Sequence, residues 1–315
     1  MTADSPRPRA VTLGQNQYGK AENRVVRITR DGDTHHIRDL NVSVALSGDM
    51  EDVHYSGSNA HVLPTDTTKN TVFAFAKKHG IDSAEQFGIH LARHFVTSQE
   101  PIKVARIRIE EYAWERIATS DANSRFIGAD EVKHSFVRGG RETRTAQITY
   151  DGEQWQIISG LKDLVVMNST HSEFWGYVKD EYTTLKEAHD RILATEVSAR
   201  WRFNWTDDET RMPHWEKSYE QTRKHMLQAF AETYSLSLQQ TLFQMGSRVI
   251  NHRGEIDEIR FSLPNKHHFL VDLEPFGLKN DNEVYFAADR PYGLIEATVL
   301  RDGAEARIPI DMTNL

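Results

Sequence analysis

The segment SLPNKHHF, residues 262–269, places an amide, an amine and two imidazoles at consecutive positions. Imidazole titrates near neutral pH, so a histidine here suits proton transfer, and a histidine pair also suggests a metal site. In a strand, however, neighbouring side chains point to opposite faces, so His267 and His268 cannot both hold one ion. Asn265 shares a face with His267, and Lys266 shares the other face with His268. The spacing therefore favours a proton-handling histidine over a metal site.

The cysteine and histidine content also argues against a metal centre. The chain has no cysteine, which excludes disulfides, thiolate ligands and cysteine nucleophiles. Its 15 histidines are scattered and form neither an HExxH nor an HxH motif. We therefore expect no metal ion.

Two further polar clusters lie in the first quarter of the chain. Lys20 closes the motif QYGK, where a lysine is either a solvated turn residue or a functional amine. Thr65 and Asp66 open the hydroxyl-rich run TDTTKNT, which is typical of a helix N-cap or a turn. The same run also offers hydroxyl and backbone N–H donors to a polar ligand. The residues alone leave both interpretations open.

The segment from 169 to 201 is the most distinctive in the chain. Its aromatic run FWGY begins at Phe174, and any one such ring is by default part of a core. Arg191 lies on a predicted helix, where a surface ion pair with Glu187 is the simple interpretation. Together, a ring and a guanidinium can instead bind a flat anion by stacking and forked hydrogen bonds. Gln239, a planar amide on a later predicted helix, can bond the edge of a heterocycle.

Composition limits the class of protein. At 315 residues the chain is long enough for about two domains and a sizeable core. A net charge of −8 disfavours nucleic acid as a partner, because phosphate backbones require a basic face. No apolar run is long enough to cross a membrane, and the first ten residues have no apolar core typical of a secretory signal. We therefore expect a small-molecule ligand, with neither nucleic acid nor membrane as a partner.

Hydrophobic periodicity predicts the elements that position these residues. Apolar–polar alternation predicts a hairpin around the DGD turn at 31–33, and strands over 104–117, 145–160 and, on either side of Pro264-Asn265, EIDEIRFSL and HHFLVDL. Helical spacing predicts helices over 82–96, 184–194 and 216–250, the first two with capping boxes that begin at Ser83 and Thr184.

The order of these elements predicts two similar antiparallel α+β halves that meet near residues 138–144. An antiparallel sheet with helices on one face leaves its edges open, and such units commonly close them by assembling into a barrel. We expect a flexible tail over 1–14, one unit over 15–140, a second over 141–302 and a C-terminal tail over 303–315.

Several of these motifs together resemble one family. QYGK, TDTTKNT, EFWGY, YTTLK, DRILAT, LQQTLF, SLPNKHHF and DRPYGLIEATV occur in order between Gln15 and Val299, over nearly the whole chain, and are similar to motifs of the urate oxidase (uricase) family. The YTTLK, DRILAT and SLPNKHHF segments are the most specific of these.

The resemblance implies a fold and a reaction. It implies two tandem tunnelling-fold units per chain, assembled as a homotetramer with a barrel-lined tunnel and with active sites between subunits. The implied reaction is oxidation of urate by O2 to 5-hydroxyisourate and hydrogen peroxide, in purine catabolism, with no metal, flavin, haem or other cofactor.

The resemblance also assigns roles to individual residues. Arg191 and Gln239 clamp the substrate, and Phe174 supplies the stacking ring. The pocket is completed by main-chain donors from Asp66 and Leu238 and by Leu185 on its wall. Thr65 and Asn265 flank the O2 or peroxide site, and the proton relay consists of Lys20, Thr65 and His267.

The sequence departs from the family in two places. The position of Leu238 is often valine in the family, a change of little consequence if the residue binds through its backbone. The C-terminal residues DMTNL differ from the peroxisomal Ser-Lys-Leu signal, which predicts a bacterial, cytoplasmic enzyme. The alternatives are another tunnelling-fold enzyme that acts on a purine or pterin, and a purine-binding protein without catalysis. The non-catalytic alternative needs Arg191, Gln239 and Phe174 but not the predicted relay.

Overall fold

Antiparallel strands form most of the chain, as the alternating sequence predicts. The computed structural model describes residues 11–32, 34–118 and 134–311. The strands are β1 Tyr18–Asp31, β2 Thr34–Gly48, β3 Ile102–Tyr112, β4 Trp114–Arg116, β5 Phe136–Arg138, β6 Thr143–Tyr150, β7 Trp155–Asn168, β8 Leu193–Phe203, β9 Ile256–Leu270 and β10 Tyr285–Leu300. The helices are α1 Asp52–Tyr55, α2 Thr65–Lys78, α3 Ala84–Ser98, α4 Trp215–Glu232 and α5 Leu238–His252, with a 3-10 turn at Glu274–Phe276.

One eight-stranded antiparallel sheet organises the described chain, in the order β1-β2-β3-β6-β7-β8-β9-β10. Alternate residues on one face of the sheet are buried under the helices, as Val42 and Val44 of β2 and Ile107 of β3 illustrate. The helices contribute their apolar stripes to the same core, for example Phe87 and Leu91 of α3. The core therefore lies between one sheet face and one layer of helices, and no helix of the described residues covers the other sheet face.

The element order repeats, which confirms the α+β class and its two repeated units. A hairpin, two helices and two strands occur first as β1-β2-α2-α3-β3-β6 and again as β7-β8-α4-α5-β9-β10. In this order β6, which the predicted limit at residue 141 assigns to the second unit, ends the first repeat. The hairpin of β6 and β7 makes the two repeats one continuous sheet.

Several local predictions are confirmed. The first hairpin pairs β1 with β2 around the DGD turn, although Asp33 lies outside the described residues. Ser83 caps α3 by accepting a hydrogen bond from the backbone N–H of Gln86, as the capping box predicts. Of the predicted tails, residues 1–10 and 312–315 lie outside the described residues. Residues 307 and 308 donate backbone hydrogen bonds to the carboxylate of Glu258, so the start of the C-terminal segment is bound to β9.

The predicted helix over 184–194 is wrong. Residues 184–188 form no helix, and β8 begins at Leu193. The segment instead folds back on residues 172–174, because the backbones of Phe174 and Ala188 exchange hydrogen bonds and Arg191 N–H donates to Ser172. Glu187 pairs with Lys179 across this loop and not with Arg191. These tertiary pairings override a local capping signal.

Two further predicted boundaries are corrected. The helix expected over 216–250 is two helices, because the chain breaks at 233–237 and Ser237 caps α5. The two strands expected on either side of Pro264 are one strand, β9. Pro264 pairs with Leu294 of β10, while the pairing with β8 is recorded at Ser262 and Asn265 but not at Pro264. The missing N–H of proline is tolerated there because no pairing with β8 is recorded at that position.

A buried ion-pair network joins the two repeats. Arg144 of β6 donates to Glu85 of α3 and to Glu216 of α4, each at 2.7 Å. Burial acts to lower the pKa of Arg144, but the charges of Glu85, Glu111 and Glu216 outweigh it and raise the pKa above its usual value. Glu85 also accepts a hydrogen bond from Ser159 of β7, so its carboxylate is satisfied on both oxygens.

We expect Arg144→Met to destabilise the fold by about 3–5 kcal/mol, because it leaves the Glu85 carboxylate buried without a counter-charge. Denaturant unfolding at fixed protein concentration measures the change. The matched control is Lys103→Met, whose ion pairs with Asp49 and Glu100 are exposed to solvent and therefore contribute little to stability. Equal losses in the two variants would contradict the assigned role of Arg144.

Candidate active site

An irregularity in β1 positions Lys20. The register with β2 shifts between Lys20 and Asn23, and Glu22 adopts a left-handed backbone with φ of 57°. The buried amide of Asn23 donates to the carbonyls of Lys20 and Val42, at 3.2 and 2.9 Å, which holds the bulge in place. Gly19 lies so close to the backbone of Val44 that a β-carbon would sit 1.9 Å from its carbonyl oxygen. Bulges beside functional sites commonly re-aim a side chain, which fits Lys20.

The first turn of α2 lies next to Lys20. The Tyr18 hydroxyl of β1 accepts a hydrogen bond from the backbone N–H of Leu63, at 2.8 Å, and so ties β1 to the start of the helix. Lys69 accounts for most of the lowering of the pKa of Asp66, and the charge of Lys20 adds to it. Lys20 is therefore within electrostatic reach of Asp66.

The start of α2 presents backbone donors. Pro64 at the N-cap makes no side-chain cap bond, so the expected side-chain cap is not observed although the run does begin a helix. The N–H groups of Thr65 and Asp66 have no hydrogen-bond partner among the described residues. The Asp66 side chain is bonded to Lys69 and Asn70 of its own helix. What this turn offers a ligand is therefore the main chain, the positive end of the helix dipole and the Thr65 hydroxyl.

Phe174 and Arg191 come together in the loop before β8. The Arg191 guanidinium carbon lies 5.2 Å from the centroid of the Phe174 ring. Arg191 Nε donates to the hydroxyl of Ser172 at 3.1 Å, and Ser172 is fully buried. Burial alone lowers the pKa of Arg191, and no carboxylate among the described residues pairs with it. The guanidinium thus has a fixed orientation and a positive charge that the described protein groups do not neutralise.

Tyr177 connects Leu185 to this pair. Its ring stacks on Phe174 with centroids 5.0 Å apart, and its hydroxyl donates to the Leu185 carbonyl at 2.5 Å. The Leu185 side chain is 55% exposed in the isolated chain. Leu185 therefore lies next to the ring pair that Phe174 and Tyr177 form.

The start of α5 is held against the same loop. The Glu173 N–H donates to the Ser235 carbonyl at 2.7 Å, and the buried hydroxyl of Thr241 donates to that of Ser235 at 2.8 Å. These bonds place Leu238 and Gln239, the first residues of α5, beside the residue that precedes Phe174. Their N–H groups have no hydrogen-bond partner among the described residues.

Leu238 and Gln239 differ in exposure. The Leu238 side chain is buried, so its backbone is what faces a ligand, while the Gln239 amide is exposed and makes no hydrogen bond with a described residue. The Leu238 backbone and the Gln239 amide are thus available to a ligand, and their roles as main-chain donor and planar amide stay predictions.

Asn265 and His267 lie on β9, on the sheet face that the helices cover. Phe261 and Leu263, which precede them at alternate positions, are fully buried. The predicted division between faces agrees with the contacts, because Lys266 on the opposite face pairs with Glu196 at 2.8 Å. Burial lowers the pKa of His267, and the charge of Arg191 lowers it further. His267 is thus close to Arg191 and neutral near pH 7, a state in which it can accept a proton.

The predicted residues form two groups within one chain. Lys20, Thr65 and Asp66 form the first, beside β1. The second contains Phe174, Leu185, Arg191, Leu238, Gln239, Asn265 and His267, around the end of β9. Six interstrand spacings separate β1 from β9 in the sheet, a path of about 29 Å at roughly 4.8 Å each.

Two supporting residues were missed in the sequence. Ser172 orients Arg191, and Asn23 holds the bulge at Lys20. Neither has a sequence signal beyond its polar type, because each bonds groups that only tertiary structure brings near. Within the described ranges, no three histidine, aspartate or glutamate side chains lie close enough together to hold one metal ion.

Comparison with known proteins relates this geometry to one family. The family model described as Uricase matches residues 16–149 and 157–296. The uricase of Arthrobacter globiformis is 48% identical over 309 residues, which cover 98% of this chain and 96% of the relative. The uricase of Dictyostelium discoideum is 36% identical over 293 residues, 92% of this chain and 98% of the relative.

Solved structures agree with the sequence comparison. The crystal structure of Arthrobacter globiformis uricase superposes with a TM-score of 0.87 at 49% identity, over 96% of this chain and 99% of that one. A uricase from Bacillus fastidious, at 21% identity and a TM-score of 0.73, covers 92% of this chain and 95% of that one and shares the fold. The resemblance predicted from the sequence motifs is confirmed, and the chain belongs to the uricase family.

Proposed function

We propose that this chain oxidises urate with O2 to 5-hydroxyisourate and hydrogen peroxide, as a step of purine catabolism. Urate gives up two electrons and two protons as water adds a hydroxyl group at C5 of the purine. O2 takes up two electrons and two protons to become hydrogen peroxide, so atoms and electrons balance.

One observation carries the choice of substrate. Arg191 presents a guanidinium that no described carboxylate neutralises, fixed by Ser172 and 5.2 Å from the Phe174 ring centroid. A flat aromatic anion satisfies both features at once, because it stacks on the ring and accepts a forked pair of hydrogen bonds. Urate is planar and anionic, and the Gln239 amide adds a donor and an acceptor for its opposite edge.

The first group of residues suits the proton chemistry. Loss of a second proton makes urate electron-rich enough to donate an electron to O2. Thr65 is too weak a base alone, so its hydroxyl acts with the Lys20 amine, and His267 orients or reloads the relay. Thr65 and Asn265 flank the oxygen above the purine plane, with N–H donors from Asp66 and Leu238 and Leu185 on the wall. No cofactor takes part in this proposal.

We also propose that each active site lies between two protomers of a homotetramer. Lys20 and Arg191 belong to groups that are far apart along one sheet, so a second copy is the simplest way to join them. Both edge strands expose apolar side chains, with Val26 of β1 at 56% and Phe286 of β10 at 62%, which favours pairing with further copies. Closing the sheets in this way gives the predicted barrel-like tunnel.

We also propose that the protein acts in the cytoplasm. A chain without cysteine fits a reducing compartment of this kind. Among the described residues, no helix is both long and apolar enough to cross a membrane.

We expect the purified protein to consume urate under air, with one O2 taken up per urate, and to keep this rate in the presence of a chelator. Urate consumption is measured from the loss of its ultraviolet absorbance, and O2 uptake is measured with an oxygen electrode. Metal analysis of the protein accompanies both measurements. The control is the same solution under argon, in which urate should persist.

Three outcomes would contradict the proposed function or its mechanism. Absence of turnover with retained urate binding would favour the non-catalytic purine-binding alternative. Turnover that the chelator abolishes would overturn the cofactor-free mechanism. Turnover of a pterin in preference to urate would favour a different tunnelling-fold enzyme.

A further inference from the structure

A buried hydroxyl beside the proposed oxygen site has no hydrogen-bond partner among the described residues. The side chain of Thr195 on β8 is fully buried, and its Oγ1 makes no hydrogen bond with any described residue. Burying a hydroxyl without a hydrogen bond is unfavourable, so such a group requires an explanation.

The sheet register places this hydroxyl next to Asn265. Thr195 and Asn265 are directly opposite in the β8–β9 pairing, so their side chains emerge on the same face. Directly opposed residues have β-carbons about 4.5–5.5 Å apart, yet the hydroxyl and the amide form no direct bond. The face they share also carries His267, two residues beyond Asn265.

We infer that Thr195 is a positioning residue, whose hydroxyl holds a water molecule that bridges to the Asn265 amide and fixes the orientation of that amide. The inference rests on the proposed function, because it acts through Asn265 at the oxygen side of the site. A bridging water needs two or more polar partners, and the threonine hydroxyl and the asparagine amide supply a donor and acceptors. An amide fixed in this way presents one end to O2 or peroxide in every turnover.

The same chain supplies a matched control. Thr222 of α4 is also fully buried with an unpartnered Oγ1 among the described residues, but it lies in the middle of a helix and on no strand of the site. A Thr→Val replacement there removes the same hydroxyl in a similar environment. The two variants therefore differ in the neighbourhood of the hydroxyl and not in the chemistry of the change.

We expect Thr195→Val to lower kcat/KM for O2 about fivefold or more, with the KM for urate within about twofold of wild type. Its melting temperature should change by only a few degrees, because valine has the shape of threonine and only the hydrogen bond from the hydroxyl to the bridging water is lost. Thr195→Ser should restore kcat/KM for O2. Thr222→Val should show the same thermal behaviour with wild-type kinetics. Steady-state rates at varied O2 and thermal unfolding measure these quantities.

Each other outcome overturns the inference. Wild-type O2 kinetics in Thr195→Val would show that the hydroxyl does not act on the site. Equal kinetic losses in Thr195→Val and Thr222→Val, or a loss that Thr195→Ser does not restore, would assign the effect to packing. Failure of the proposed function itself is separate, because it appears as absent turnover in the wild-type protein.

Discussion

Lys20→Met is expected to lower kcat by about 10²–10⁴-fold, the usual contribution of a positioned acid–base group, while urate still binds. The reason is that Lys20 belongs to the group beside β1, whereas the substrate clamp of Phe174 and Arg191 belongs to the other. Methionine keeps the length and the apolar stem of lysine and removes only the amine. Turnover under air and equilibrium binding of urate under argon measure the two properties separately.

The control for this prediction is Lys77→Met, at the exposed far end of α2. It removes one positive charge from the first unit without touching the start of the helix. Wild-type turnover in Lys20→Met would remove Lys20 from the relay. A loss shared by Lys77→Met would point to a general charge effect on the approach of the urate anion.

Arg191→Gln is expected to weaken urate binding by about 100-fold or more, because two charge-assisted hydrogen bonds of about 1.5–3 kcal/mol each are lost. Arg191→Lys should also bind poorly, since a lysine ammonium cannot form the planar fork or stack over the Phe174 ring. Titration of urate under argon measures the affinity of each variant. Unchanged affinity in Arg191→Gln would remove Arg191 from the clamp.

Mixing the Lys20→Met and Arg191→Gln variants tests where the site lies. If each site takes Lys20 from one protomer and Arg191 from its partner, random co-assembly of Lys20→Met with Arg191→Gln leaves about one quarter of the sites intact. If both residues served a site within one chain, every site in the mixture would carry one of the two defects. Co-refolded mixtures with no activity would therefore contradict a site between protomers.

The sequence predicted more of the chemistry of the site than of its geometry. The alternation around Pro264-Asn265 correctly separated Asn265 and His267 from Lys266, because side-chain direction in a strand depends only on parity. The same periodic reasoning failed for residues 184–194, where hydrogen bonds between Phe174 and Ala188 decide the backbone. A capping box is a signal of the local sequence, whereas hydrogen bonds across a loop join residues far apart in the chain and have no such signal.

The residues that orient Arg191 and Lys20 could not be predicted from the sequence, for a related reason. Ser172 and Asn23 act through bonds to Arg191 and to the Lys20 carbonyl, and such bonds exist only once distant segments meet. The break between α4 and α5 was missed because helical spacing continues on both sides of Ser237. Yet that break creates the new helix start at Leu238 and Gln239, so it matters for the site.

The strand order has a consequence for when the enzyme begins to work. A newly made chain carries Lys20 at one edge of its sheet and Arg191 near the other, six interstrand spacings apart from β1 to β9. Under the proposed arrangement, such a chain can bind urate at Arg191, but its own Lys20 lies too far away to act on that urate. It therefore releases no hydrogen peroxide. Specific activity should then fall on dilution, as protomers separate. Under this proposal, peroxide production is a property of the assembled oligomer, and a single protomer produces none.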